Sequence, residues 1–227
     1  MNADPDDVVQ AQIRYYSERA PEYDETSIPP GEDPLAPQGF ELEAALAAFA
    51  PRGRVLEIAC GTGGWTRLLA AHASDVTALD ASAEMLELCR RKVKDARVRF
   101  VEADVFRWEP ETQYDVVFFA NWLSHVPPKR FKEFWSIVER CLAAKGRVFF
   151  VDEETLGVWR CEEFLDEAQT LVRRRLRDGR FFDIVKVFYD APDLERRIRV
   201  LGWDVTVNST GDFYWGQGTG PEETVGI

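Results

Sequence analysis

Histidine is nearly missing from this chain of 227 residues, which holds two, His72 and His125, beside four cysteines at 60, 89, 141 and 161. No cysteine pair has CxxC spacing, so neither a zinc site nor a disulfide framework is expected, and no metal is implied. Positive charge is also short: 28 Lys and Arg stand against 40 Asp and Glu, a formal net charge of −12. Binding to phosphate backbones or anionic membranes draws on a basic surface. Nucleic acid and membrane partners are therefore not expected. The densest basic run, Arg173-Arg174-Arg175 with Arg177, is followed by Asp178 and reads as a solvated helix face. No apolar stretch approaches the roughly 20 residues of a membrane span. The acidic start, Met1 to Asp7, lacks the apolar run of a signal peptide. These absences lead to the expectation of a cytoplasmic protein, monomer or homodimer, with a small molecule as its partner.

Enough remains to build a core, since 45% of residues are hydrophobic. Apolar spacing predicts helices over 7–20 and 40–50, with a Pro- and Gly-rich loop at 25–38 between them. Short apolar strands follow at 54–59, 75–80, 98–101, 114–120 and 146–151, separated by helices at 65–73, after Ser82, and at 128–143. Strand alternating with helix is the pattern of a parallel sheet covered on both faces. Beyond residue 151 a helix is expected at 160–177, a strand at 179–189, a helix at 192–201 and a strand at 203–207. One domain accounts for the chain: an N-terminal segment at 1–38, a core at 40–152, and a final helix and strands at 153–227.

The informative feature is a strand, a glycine loop, a helix, and then an acid ending the next strand. Gly61, Gly63 and Gly64 let a ligand approach bare backbone. The helix behind them offers free N–H groups and a partial positive charge. Asp80 can accept both hydroxyls of a ribose. Two readings share this geometry. A dinucleotide fingerprint is GxGxxG, but Thr66 stands where the third glycine belongs.

The run Val55-Leu-Glu-Ile-Ala-Cys-Gly-Thr-Gly-Gly64 resembles motif I of class I S-adenosylmethionine-dependent methyltransferases. The similarity continues through Ala78 to Leu86, Val101 to Val105, Tyr114 to Val126, and Leu142 to Phe150. It implies a Rossmann-like α/β fold with a seven-stranded, mostly parallel sheet whose last strand is antiparallel, and S-adenosyl-L-methionine as cofactor. It also implies roles. Glu57 and the 59–64 backbone, with Ala59, Cys60, Gly61 and Gly63, would hold the methionine part, and Asp80 the ribose. Ala81 and Met85 would pack on adenine, Asp104 and Val105 would meet its edge, and Ala120, Asn121 and Trp122 would line the sulfonium side. Ala59 and Lys145 depart from glycines common in the family, without removing a cofactor contact. The segment Tyr15-Tyr16 to Tyr23-Asp24 resembles the leader that folds over the cofactor as a lid, which implies Tyr15 and Tyr23 as cover.

Methyl transfer is an in-line displacement, and an oxygen or nitrogen acceptor can need a base. His125, following the fourth strand, is the candidate. Asp152, Glu153 and Glu154 are either acceptor-orienting acids or solvated loop residues, and Phe213, Tyr214 and Trp215 either wall the pocket or pack a terminal strand. The aromatic content, seven Trp and fifteen Phe, would suit a bulky aromatic or polyketide-like acceptor. The expected activity is methylation of O or N of a small metabolite. A cofactor-binding regulator without turnover and a nicotinamide-dependent oxidoreductase are the rivals.

Overall fold

Val116-Val117-Phe118-Phe119 offers no polar face, so a strand made from it must be covered on both sides. In the computed structural model, which describes residues 5–27, 36–154, 163–168 and 170–221, it is. This strand, β4 (Tyr114–Ala120), lies at the middle of a seven-stranded sheet of order β3-β2-β1-β4-β5-β10-β9. Its companions are β1 (Arg54–Ile58), β2 (Asp75–Asp80), β3 (Val98–Glu102), β5 (Leu142–Glu153), β9 (Asp204–Ser209) and β10 (Phe213–Thr219). The first five are parallel, and β10 runs antiparallel to both β5 and β9.

Side-chain alternation sorts the core into two layers. Val117, Phe119, Val148 and Phe150 face Phe134 and Trp135 of α6 (Phe131–Cys141) and Leu194 and Ile198 of α7 (Ala191–Val200). Val116, Phe118, Phe149 and Val151 face the other way. There they meet Leu46 of α3 (Ala36–Phe49), Leu69 of α4 (Gly64–Ala70) and Leu86 of α5 (Ala83–Lys92). The β4–β5 register sets Phe118 against Phe149 and Phe119 against Phe150, and both ring pairs stack, at 6.1 and 5.3 Å. Each such buried ring stabilises the fold by about 1.5–3 kcal/mol.

The chain enters through α1 (Pro5–Arg19), a 3-10 turn (Ala20–Glu22) and α2 (Tyr23–Ser27). The expected 25–38 loop is thus partly helical, and residues 28–35 lie outside the described residues. A larger correction concerns 160–177. Instead of a helix, the described part forms a three-stranded antiparallel sheet of β6 (Glu163–Phe164), β7 (Leu171–Arg175) and β8 (Phe181–Val185). Helix propensity favoured Leu and Arg there, but burial has period two: Val172 and Leu176 are buried, while Arg173 and Arg175 are exposed. Arg173 pairs across the strands with Asp183 at 2.7 Å, so the basic run lies on the central strand of the small sheet, compensated by acids, and not on a helix face. Residues 155–162, with Cys161, lie outside the described part.

Gly216 of β10 stands opposite Phe150, and a Cβ there would sit 2.1 Å from the ring. Because Phe150 is fully buried, it has no room to yield. Gly216→Ala is expected to destabilise the protein by about 1–3 kcal/mol, a drop in Tm of roughly 2–10 °C. Thermal melting followed by circular dichroism checks this, and an unchanged Tm contradicts the packing.

Candidate active site

At the carboxyl end of β1 the chain turns sharply, with left-handed φ at Ala59 (56°), Gly61 (53°) and Gly63 (90°). Gly63 precedes the first turn of α4 and is buried against α5, where a Cβ would meet Cys89 Sγ at 2.6 Å. Its glycine is required by both φ and space. The turn thereby opens the backbone of residues 59–62 to a cleft of about 430 Å³.

Three elements converge on that cleft. From β2, Asp80 accepts from the Gly61 amide through Oδ2 and from the Ser82 amide through Oδ1, both at 2.9 Å. Burial raises its carboxyl above the ordinary range. Ser82 caps α5 by accepting from Met85 N, which brings Ala81 and Met85 to the cleft wall. After β3, Asp104 accepts from Phe106 N at 3.0 Å, with Val105 beside it. After β4, Ala120, Asn121 and Trp122 form the opposite wall, with Asn121 at φ 50°.

Glu57 is the electrostatic oddity. It lies on a buried strand, 2% exposed, and burial pushes its carboxyl well above the usual range. Its Oε2 has no hydrogen-bond partner among the described residues, and the residue lines the cleft. Gln12 Oε1 and Trp122 Nε1 share that condition. Unpaired buried polar atoms are costly, so three around one cavity mark it as built for a polar ligand.

The roof of the cleft is α1. Val9, Gln12, Ile13 and Tyr16 follow the i, i+3, i+4, i+7 stripe and line it, joined by Tyr23 and Asp24 of α2. Asp24 accepts from Thr62 Oγ1 at 2.7 Å and pairs with Lys92. Ser17 Oγ donates to Ser82 Oγ at 3.0 Å. Gln12 Nε2 donates to the His125 carbonyl at 3.1 Å. The leader is thus latched to the glycine loop, to α5 and to the segment after β4.

His125 is buried and lines the cleft, but both ring nitrogens are engaged. Nδ1 lies 2.6 Å from the Val185 carbonyl, so it must donate, and Nε2 accepts from Tyr16 OH at 2.9 Å.

Most residues expected to bind cofactor meet in this one cleft: Glu57, Ala59, Cys60, Gly61, Asp80, Ala81, Met85, Asp104, Val105, Ala120 to Trp122 and Tyr23. Two do not. Tyr15 packs with Phe182, Val172 and Ile184 of the small sheet, because successive helical residues diverge by about 100° and Tyr16 takes the cleft side. Gly63 lies beneath the loop rather than in its wall. Sequence reasoning missed Gln12 and Trp65, which also line the cleft. A polar Gln within the apolar stripe of α1 was the one available signal.

Asp152 and Glu153, which end β5, and Glu154 after it are held by protein partners. Lys186, 1% exposed, reaches Glu153 Oε2 at 2.7 Å and Asp152 Oδ1 at 3.8 Å, and donates to Ser124 Oγ at 3.0 Å. Glu154 accepts from Ala191 N at 3.0 Å. The late aromatics pack the terminal strand: Trp215 stacks on Phe149, and Tyr214 is buried against Phe150.

The chain is similar to proteins of known family. The profile of the family described as "Methyltransferase domain" matches residues 55–146. The malonyl-[acyl-carrier protein] O-methyltransferase of Priestia megaterium is 40% identical over 65 residues, 28% of this chain and 24% of that protein. The trans-aconitate 2-methyltransferase of Rhodopseudomonas palustris is 34% identical over 109 residues, 47% of this chain and 41% of that protein. The chain thus spans between about a quarter and two fifths of the length of these two curated relatives. Among solved structures, the DhpI–SAH complex superposes with a TM-score of 0.83 at 39% identity, covering 95% of this chain and 98% of the other. The DhpI–SAM–HEP complex gives 0.82 at 39% identity, covering 94% and 98%. With 39% identity over nearly the whole of both chains, this chain belongs to the class I S-adenosylmethionine-dependent methyltransferases.

Proposed function

We propose that the protein methylates an oxygen or nitrogen of a small metabolite, with oxygen the better-supported atom, in the cytoplasm. The observation that carries the cofactor half is Glu57: a buried carboxylate oxygen with no protein partner beside bare loop backbone fits the ammonium of an amino-acid ligand. Bound S-adenosylmethionine would supply an electrophilic methyl group on a sulfonium. Oxygen is favoured because curated relatives of this chain carry the name O-methyltransferase. A small acceptor suits a cleft of about 430 Å³ that must also hold the cofactor, which argues against the bulky aromatic acceptor. The net charge of −12 argues against a nucleic-acid acceptor.

The residues divide the work. Asp80 would hold the ribose hydroxyls, Ala81 and Met85 would flank the adenine, and Asp104 would accept from its amino group. The roof made by Tyr16 and Tyr23 excludes water and holds the acceptor in line. Tyr16 keeps its hydrogen on His125 Nε2, so its oxygen lone pairs face outward. A proton leaving the acceptor passes to Tyr16 as the tyrosine proton passes to His125.

Asp80→Ala is expected to weaken S-adenosylhomocysteine binding by about 1–3 kcal/mol, since charge-assisted hydrogen bonds are lost. Unchanged affinity by titration calorimetry refutes the ribose assignment. Glu57→Gln separates stability from binding. Because burial raises the Glu57 pKa, ionisation costs the ligand-free fold stability progressively as pH rises from the ordinary carboxylate value towards the raised one. At neutral pH the ligand-free variant is therefore expected to melt at or above the wild-type temperature. Its cofactor affinity should fall by about 1.5–3 kcal/mol, or roughly 10- to 150-fold. Melting curves with and without ligand decide this, and a variant that binds normally sinks the role. The reaction itself is tested with methyl-labelled S-adenosylmethionine and pooled hydroxyl, carboxyl and amine metabolites. Labelled product is expected, whereas tight cofactor binding with no turnover in any pool favours a non-catalytic regulator.

A further inference from the structure

One buried ammonium plays no part in the proposed chemistry. Lys186 follows β8, is 1% exposed, and is among the largest fully buried side chains of the described residues. An ammonium at that depth is costly even when paired, so its neighbours matter. Three consecutive residues, Val185, Lys186 and Val187, clamp two consecutive residues of the turn after β4. The Val185 carbonyl lies 2.6 Å from His125 Nδ1. Lys186 Nζ donates to Ser124 Oγ at 3.0 Å. The Val187 amide donates to Ser124 O at 2.8 Å. Of the three, Lys186 alone contributes its side chain, and that side chain also reaches the main sheet. Nζ lies 2.7 Å from Glu153 Oε2 and 3.8 Å from Asp152 Oδ1, at the end of β5. Asp152 in turn accepts from the Ser124 amide at 2.8 Å. The Lys186 backbone belongs to the small sheet, where its amide donates to Thr170 O at 3.0 Å. One residue therefore ties the small sheet to β5 directly behind His125.

We propose that Lys186 is a positioning residue for His125, selecting the tautomer that carries hydrogen on Nδ1 and leaves Nε2 as the acceptor for Tyr16. A carbonyl oxygen only accepts, so Val185 O opposite Nδ1 stabilises the Nδ1–H form. That carbonyl stays opposite Nδ1 only while the end of β8 keeps its place against the turn. Without the ammonium, the small sheet keeps its own ladder but loses its charged tie to β5 and its bond to the Ser124 hydroxyl. The imidazole hydrogen can then move to Nε2. That nitrogen becomes a donor, its bond with Tyr16 OH reverses, and the tyrosine has no base to which it can pass a proton.

The consequence for turnover rests on the proposed relay through Tyr16, whereas the tautomer does not. The test uses ¹⁵N-labelled full-length protein at about pH 8, above the ordinary imidazole pKa of about 6.5. Long-range hydrogen–nitrogen correlation spectra of the imidazole rings identify the tautomer, and His72→Gln removes the other histidine signal. The Nδ1–H form of His125 is expected in the parent protein. Lys186→Met keeps the stem and removes the ammonium, and should give a mixed or reversed tautomer. Lys186 lies outside the residues that line the cleft, so S-adenosylhomocysteine affinity should stay within roughly twofold. Methyl transfer to whichever hydroxyl, carboxyl or amine pool the parent protein labels should fall by roughly tenfold or more. Lys186→Met combined with Glu153→Gln, which removes one charge of each sign, serves if the single variant does not fold. An Nε2–H form in the parent protein, an unchanged tautomer in the Lys186 variants, or lost turnover beside an unchanged tautomer overturns the proposal. Full turnover beside a changed tautomer refutes the relay instead. Parent protein that binds S-adenosylhomocysteine but labels no pool refutes the methyl-transfer reading, and the tautomer comparison then still decides the role of Lys186.

Discussion

The hydrogen bonds that Asp80 accepts from Gly61 and Ser82 tie the site together. One carboxylate joins the loop after β1, the end of β2 and the cap of α5. Each oxygen accepts one backbone amide and has a lone pair left for a ligand. Burial disfavours the charge, and the two amides offset that cost, so the group is positioned before any ligand arrives. Without this tie, the backbone exposed by left-handed φ at Ala59 and Gly61 would have no defined distance from the Asp80 carboxylate.

Around it the cleft is finished by the leader. Helix α1 lies between two partners. Its Tyr15 side packs on the small antiparallel sheet, and its Tyr16 side closes the ligand space. Ion pairs from Arg177 to Glu25 and from Arg180 to Glu18 join the same sheet to the leader. Exposed pairs of this kind contribute little each, and orientation comes mainly from the buried tyrosine contacts. The roof and the small sheet therefore behave as one cap, with polar latches of moderate strength to the loop and to α5.

Behind His125 lies a second buried charge system. Lys186 is enclosed by Asp152, Glu153 and Ser124, and the Ser124 amide donates to Asp152 at 2.8 Å. A lone ammonium at that depth would be costly, whereas paired with carboxylates it is tolerated. The network ties β5 and the segment after β8 to the turn that carries His125. That position in turn fixes the Nδ1 hydrogen bond to Val185 and the tautomer that faces Tyr16.

The local sequence determined the parallel core and the cofactor side of the cleft. Two-sided apolar runs, a glycine loop and an acid ending the next strand are short-range signals, and β1 to β5 with Gly61 and Asp80 followed from them, whereas Glu57 and Asp104 came from the family resemblance. Tertiary structure alone decided three things. The Leu- and Arg-rich segment around 171–176 became a strand, because pairing with β8 and burial of Val172 outweighed helix propensity. Tyr16, not Tyr15, took the cleft, because the direction of α1 is set by the sheet it packs on. The contact of His125 with Tyr16 joins residues 109 positions apart. No local pattern encodes such distances; they exist only once the strands and helices between them have packed.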